Sequence, residues 1–233
     1  MKQIIPLDKS IIPACDVDLG LFEKILQETA DIEKVGGYKV GFKLGLLYGL
    51  PRIVEVARKY TNKPIIYDHQ KAGTDIPDTG KDFADVMVRS GINAVIFFPQ
   101  SGPVTQNAWI ESALEKGLGV IMGGLMTHKG YVQSQGGYIA DDQIINMYLN
   151  SAKRGISEFV VPGNKPEAIT QIRAALQAEG IEPIFYAPGF VTQGGSISEA
   201  AKCAGEKWHA IVGRGIYQAE DIRKAAIQHT IQL

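Results

Sequence analysis

Short apolar runs and longer amphipathic stretches alternate along the whole chain. Brief runs with no helical period read as strands buried on both faces, and apolar residues three and four apart read as helices that cover them. The first run, Ile11-Ile12-Pro13-Ala14-Cys15, stops at Asp16. A helix over about 19–33 follows, with Leu19, Phe22, Ile25 and Leu26 on one face. Further strands are predicted over 38–42, 64–67, 94–98, 119–122, 159–161, 183–186 and 210–212. Helices are predicted over 51–60, 81–90, 104–116, 141–154, 166–179, 196–204 and 219–228. Pro166 suits the first turn of its helix, where no N–H is needed. A polar, glycine-rich stretch separates the fifth strand from the helix at 141.

This gives eight strand–helix units of about 28 residues each, with no linker-like break between them, and it predicts a (β/α)8 TIM barrel forming one domain over 1–233. An open doubly wound sheet is the alternative. It would usually carry a glycine fingerprint after its first strand, and Asp16-Val17-Asp18-Leu19-Gly20 is not one.

A barrel places its chemistry at the C-terminal ends of its strands. Asp16 ends the first strand, Lys39 and Lys43 lie in or after the second, and Asp68 ends the third with Lys71 and Asp75 just beyond. Thr127 and His128 follow the fifth strand, Gly189 and Gln193 the seventh, and Gly213 and Arg214 the eighth. Scattered surface charge would not gather so consistently at one rim. The densest part is 67–79, where Asp68, Lys71 and Asp75 follow an apolar run, and opposite charges at a strand end are costly to bury unless paired. The loops Ala187-Pro188-Gly189 to Gly194-Gly195-Ser196 and Val212-Gly213-Arg214-Gly215 form a second signal. Either loop alone could simply allow a tight turn. Together, with a guanidinium at the strand end, they favour a phosphate site at the place where barrels often hold one.

Composition narrows the partners. The 24 basic and 25 acidic residues leave a net charge of -1, so bulk electrostatics argue for neither nucleic acid nor a membrane surface. No apolar run reaches the roughly 18 residues of a membrane span. The N-terminus lacks the pattern of a secretory signal, and the two distant cysteines, Cys15 and Cys203, form no disulfide framework, so a cytoplasmic protein is expected. His69, His128, His209 and His229 show no ligand spacing, and no metal site is expected. Acids and bases alternate at the rim, which suits mutual neutralisation and proton delivery more than metal-assisted enolisation. Lys39, inside a strand, also keeps open an aldolase that forms a Schiff base. Lys43 is expected in solvent or behind the site, His128 to shape its loop, and Trp109 and Trp208 to pack in the core or at an interface.

The ordered set of motifs resembles the orotidine 5'-monophosphate decarboxylase family in its shorter microbial form, over essentially the whole chain. It comprises Asp16 after Ala14-Cys15, Lys39-Val40-Gly41, Asp68 through Asp75-Ile76-Pro77-Asp78-Thr79, Met126-Thr127-His128, Phe159-Val160-Val161-Pro162, Pro188-Gly189 with Gln193-Gly194-Gly195, and Ile211-Val212-Gly213-Arg214-Gly215-Ile216. The resemblance implies decarboxylation of orotidine 5'-monophosphate (OMP) to uridine 5'-monophosphate (UMP) without metal or cofactor. Lys39, Asp68, Lys71 and Asp75 would form the catalytic charge array, with Lys71 protonating C6. Asp75 and Thr79 would come from the partner of a homodimer. Asp16, Lys39 and Thr79 would bind ribose, Thr127 the pyrimidine edge, and Pro188, Gln193, Gly213 and Arg214 the phosphate side. The loop over 130–137 would fold over the ligand.

Both intervals of the triad depart from the family pattern D-x-K-x-x-D. Here the triad reads Asp68-x-x-Lys71-x-x-x-Asp75, one residue longer in each interval. A one-residue slip in extended chain turns a side chain to the opposite face, so a bulge or turn after Asp68 is needed to return Lys71 to the site. His69 is then expected to make a loop contact or to hydrogen-bond Asp68. The competing readings are a metal-dependent hexulose-phosphate synthase or keto-gulonate-phosphate decarboxylase, and a non-catalytic barrel that binds a phosphorylated ligand.

Overall fold

Eight parallel strands close into a barrel in sequence order. They are β1 (Lys9–Cys15), β2 (Tyr38–Val40), β3 (Ile65–Asp68), β4 (Ala94–Phe97), β5 (Gly119–Gly123), β6 (Glu158–Val160), β7 (Ile184–Pro188) and β8 (Trp208–Val212). The computed structural model describes residues 3–69, 75–190 and 194–233. β1 meets β8 with Ile11 opposite Ala210 and Ile12 opposite Ile211, which completes the ring. The predicted TIM barrel is therefore the observed fold.

Helices α1 (Leu19–Thr29), α2 (Phe42–Tyr48), α3 (Leu50–Arg58), α4 (Thr79–Arg89), α5 (Pro103–Glu115), α6 (Gln143–Ala152), α7 (Pro166–Ala178), α8 (Ile197–Ala204), α9 (Arg214–Tyr217) and α10 (Ile222–Thr230) connect the strands. Their starts follow from local chemistry. Asp18 and Asp221 cap α1 and α10 by accepting from Leu21 N and Lys224 N, and prolines occupy the first turns of α3, α5 and α7. Each long helix turns one apolar face to the strands. Phe22, Ile25 and Leu26 of α1 and Ile169, Ile172 and Leu176 of α7 are buried in the layer between sheet and helices.

Several elements differ from the sequence expectation, α1 among them, which ends at Thr29 and not at residue 33. β2 stops at Val40, not at residue 42, because the chain turns at Gly41 into α2. That helix is absent from the apolar pattern because Phe42, Leu46 and Leu47 are exposed and only Leu44 is buried. Gly49, at φ 75°, then breaks α2 from α3. After β8, the four-residue α9 forms, and the last helix begins at Ile222, not at residue 219.

Inside the ring, Ile12, Ile66, Ile96, Ile121, Val160 and Ile211 fill the middle. The N-terminal end is polar. Ser10 Oγ and His209 Nδ1 are 2.8 Å apart, and Glu158 accepts from the Tyr186 hydroxyl and from Ile4 N. Both Ser10 and His209 are fully buried.

Burial pushes the His209 imidazole from the usual 6.5 down to about 3. Between those values the unfolded chain binds a proton that the folded chain refuses, so stability is lost as pH falls below 6.5. Glu158, whose carboxyl is pushed up by burial, acts in the opposite sense. Comparison with His209→Gln isolates the histidine. The parent is expected to lose about 2 kcal/mol relative to that variant between pH 6.5 and about pH 4.5, read from urea midpoints.

Candidate active site

β2 and β3 run side by side with Lys39 opposite Ile66, and both Lys39 and Asp68 reach the strand C-terminal end. Lys39 Nζ lies 2.5 Å from Asp68 Oδ2 and 3.7 Å from Asp16 Oδ2. Lys39 is 5% exposed and Asp68 1%. Charges this deep need partners, because desolvation of each ion costs several kcal/mol. Burial pulls the Lys39 ammonium toward deprotonation, but Asp68 and then Asp16 outweigh it and hold its pKa above the ordinary lysine value. Gly41 makes room for this arrangement: a Cβ there would lie 2.8 Å from Asp16 Oδ1.

The charged group opens into a cleft of about 370 Å³. Asp16, Lys39 and Asp68 line it from the first three strands, and Pro188, Gly189, Gly213 and Arg214 from the last two. Thr127 and His128 contribute from the segment after β5, while Ile96, Phe98, Val160 and Ile211 supply apolar surface. The cleft can therefore hold a flat, partly apolar ring beside fixed charges, with a guanidinium for an anionic group.

The segment after β6 fixes the Thr127 backbone. Asn164 Nδ2 donates to Thr127 O at 3.2 Å, and Lys165 Nζ donates to Met126 O at 2.8 Å and to His128 O at 3.5 Å. Burial lowers the Lys165 pKa.

Asp16, Lys39, Asp68, Thr127, Pro188, Gly213 and Arg214 thus meet in one cleft. Lys71 and Gln193 lie outside the described residues. Asp75 and Thr79 do not line the cleft of their own chain. Asp75 Oδ1 accepts from Ile76 N, and Thr79 Oγ1 donates to Ile76 O. Lys43 is exposed on α2 and His128 is exposed. His69 packs among aromatic rings, and its Nδ1 is buried without a hydrogen-bond partner. Tyr217, Phe190 and the Asn164–Lys165 pair escaped the sequence reading. Tyr217 carried a usable signal, three residues after Arg214 on one turn of α9, whereas the others act through tertiary approach alone. Among the described residues, no three or more His, Cys, Asp or Glu side chains cluster to hold a metal ion, and no helix is long and apolar enough to cross a membrane.

A closed (β/α)8 barrel with a buried lysine between carboxylates and an arginine at the end of its last strand belongs to the class of barrel enzymes with charge-lined clefts. Comparison narrows the class. The profile of the orotidine 5'-phosphate decarboxylase / HUMPS family matches residues 10–228, and the chain belongs to that family. It is 35% identical over 214 residues to orotidine 5'-phosphate decarboxylase of Methanosarcina barkeri, covering 90% of this chain and 89% of the relative. The crystal structure of orotidine 5'-monophosphate decarboxylase from Methanocaldococcus jannaschii complexed with the inhibitor BMP superposes with a TM-score of 0.84 at 26% identity, covering 97% of this chain and 99% of that one. The enzyme of Pyrococcus horikoshii gives a TM-score of 0.76 at 28% identity, with 95% and 98% covered.

Removing Asp68 leaves the Lys39 ammonium buried with Asp16 at 3.7 Å. Asp68→Ala is expected to destabilise the fold by about 3 kcal/mol in urea unfolding and to lower the Lys39 pKa.

Proposed function

We propose that this chain decarboxylates OMP to UMP, the last step of pyrimidine nucleotide synthesis, without metal or organic cofactor. The observation that carries this reading is the buried Lys39–Asp68 pair at the cleft, in a chain so similar to curated orotidine 5'-phosphate decarboxylases. In this reading the phosphate meets Arg214, Gln193 and the Gly213 backbone, with Pro188 shaping that side. Thr127 faces the pyrimidine edge, and Asp16 and Lys39 hold the ribose hydroxyls.

The C6–carboxylate bond breaks, CO2 leaves, and the electron pair remains on C6. The Lys71 ammonium stabilises that charge as it develops and then gives its proton to C6; solvent reprotonates the amine. Asp68 and Lys39 keep the local charges paired and oriented before substrate arrives, so little reorganisation accompanies the step. Binding energy from the phosphate goes into orientation and closure at the distant carbon.

Asp75 and Thr79 are supplied to the site by a second copy in a twofold dimer. Their position away from the cleft of their own chain supports this, as do exposed apolar side chains at Leu46, Leu47, Ile76 and Val104. The two cysteines are unpaired thiols, which supports a reducing, cytoplasmic setting.

UMP release from OMP by the purified protein is expected to be indifferent to magnesium or chelator. It should fall by about 10³-fold or more in Lys71→Ala. Magnesium dependence would favour the synthase branch of the family, and an inactive parent would leave only a ligand-binding barrel. Mixing inactive Lys71→Ala and Asp75→Asn subunits should restore about a quarter of parental activity, because one site of each hybrid dimer is intact. Failure to recover activity despite subunit exchange would place Asp75 in its own chain's site.

A further inference from the structure

In the proposed reading the base lies between Asp68, at the end of β3, and Thr127, after β5. The strand between them is β4. The side chains that β4 turns to the cleft are Ile96 and Phe98, two residues apart and so on one face of the chain. Phe98 is the larger and lies nearer the barrel mouth. Like Asp68, it is 1% exposed and borders the cleft at its floor.

Phe98 fits there because β5 has no side chain beside it. Phe97 pairs with Met122, which brings Phe98 level with Gly123. A Cβ at Gly123 would fall on Cζ, Cε1 and Cε2 of Phe98, so the tip of the ring fills the space of the missing side chain. The backbone at Gly123 is not left-handed, so it is the ring, and not a turn, that requires glycine. The end of β5 has no room to retreat. On its other side, a Cβ at Gly124 would come within 2.8 Å of the Tyr148 ring. Tyr148 is fully buried, and its hydroxyl donates to Val160 O at 2.8 Å and accepts from Leu125 N at 3.2 Å. Below Phe98 the interior is filled by Ile96 and Ile121. The cleft is the open side left to the ring.

We infer that Phe98, laid over Gly123, is a specificity-determining wall of the base subsite, which leaves room for one six-membered ring and excludes a fused two-ring base. This rests on the reading of the cleft as an OMP site and names the residue that sizes it. Phe98 supplies shape and no charge, so its loss changes which base fits more than it changes the chemistry at C6.

The test is calorimetric binding of UMP and of a purine counterpart, inosine 5'-monophosphate (IMP), with OMP kinetics alongside. The proteins are the parent, Phe98→Leu, Phe98→Ala, Gly123→Ala and the double variant Gly123→Ala with Phe98→Leu. Gly123→Ala drives the ring into the cleft and should weaken UMP binding about 30-fold. The double variant should return to within about fivefold of Phe98→Leu alone, the non-additivity of two side chains that compete for one space. Phe98→Ala should raise IMP affinity relative to UMP by about tenfold or more. Parental UMP affinity in Gly123→Ala overturns the inference, and so does a double variant as weak as Gly123→Ala. An unchanged ratio of IMP to UMP affinity in Phe98→Ala overturns it as well. If Gly123→Ala or Phe98→Ala does not fold, Phe98→Leu decides: its ratio should rise about threefold, and an unchanged ratio overturns the wall. A parent that binds UMP but is inactive on OMP removes the decarboxylase reading alone, because the wall is read from binding. A parent that binds no UMP removes both.

Discussion

Lys39 lies almost entirely out of water, and its ammonium is tolerable there only because Asp68 is 2.5 Å and Asp16 3.7 Å away. That constraint organises the upper end of the barrel. The three charges come from the ends of three neighbouring strands, so their spacing is set by the hydrogen-bonded register of the sheet and not by flexible loops. Removing one of them leaves an uncompensated ion, and a buried pair adds little to stability over an apolar substitute. Charges held at such cost are most readily understood as serving chemistry.

The rest of the fold supplies what the charged group lacks. The aliphatic interior below it excludes water, which strengthens each electrostatic interaction inside the cleft. In the proposed reading Arg214 and the glycines after β7 and β8 anchor an anion, while Asn164 and Lys165 hold the backbone that carries Thr127. Recognition and charge placement thus sit on different strands of one rigid frame. Binding at one end can then orient a reacting carbon at the other.

The architecture was legible because strands buried on both faces leave dense apolar runs, and eight such runs alternate with amphipathic stretches. Asp16, Lys39, Asp68, Thr127, Pro188, Gly213 and Arg214 could be picked out because a parallel barrel brings every strand end to one rim, so sequence position alone implied proximity. α2 could not be read, since its Leu46 and Leu47 point into solvent and break the expected amphipathic pattern. The partners of Thr127 and the aromatic surroundings of His69 were equally hidden. They depend on approaches between segments distant in sequence, such as Trp109 to Ile76. His69 followed a charged residue at a strand end and read as a loop contact or a hydrogen-bonding partner of Asp68, yet its ring packs against Phe83.

Fixed charge at Lys39 is the physical core of the site, and its titration tests it most directly. Lysine side chains labelled with 13C at Cε can be followed by NMR against pH, with the Lys39 signal assigned by its loss in Lys39→Met. The Lys39 ammonium should persist beyond 10.5, the ordinary lysine value, because Asp68 and Asp16 outweigh the penalty of burial. Deprotonation of Lys39 below 10.5 would contradict a permanently charged centre.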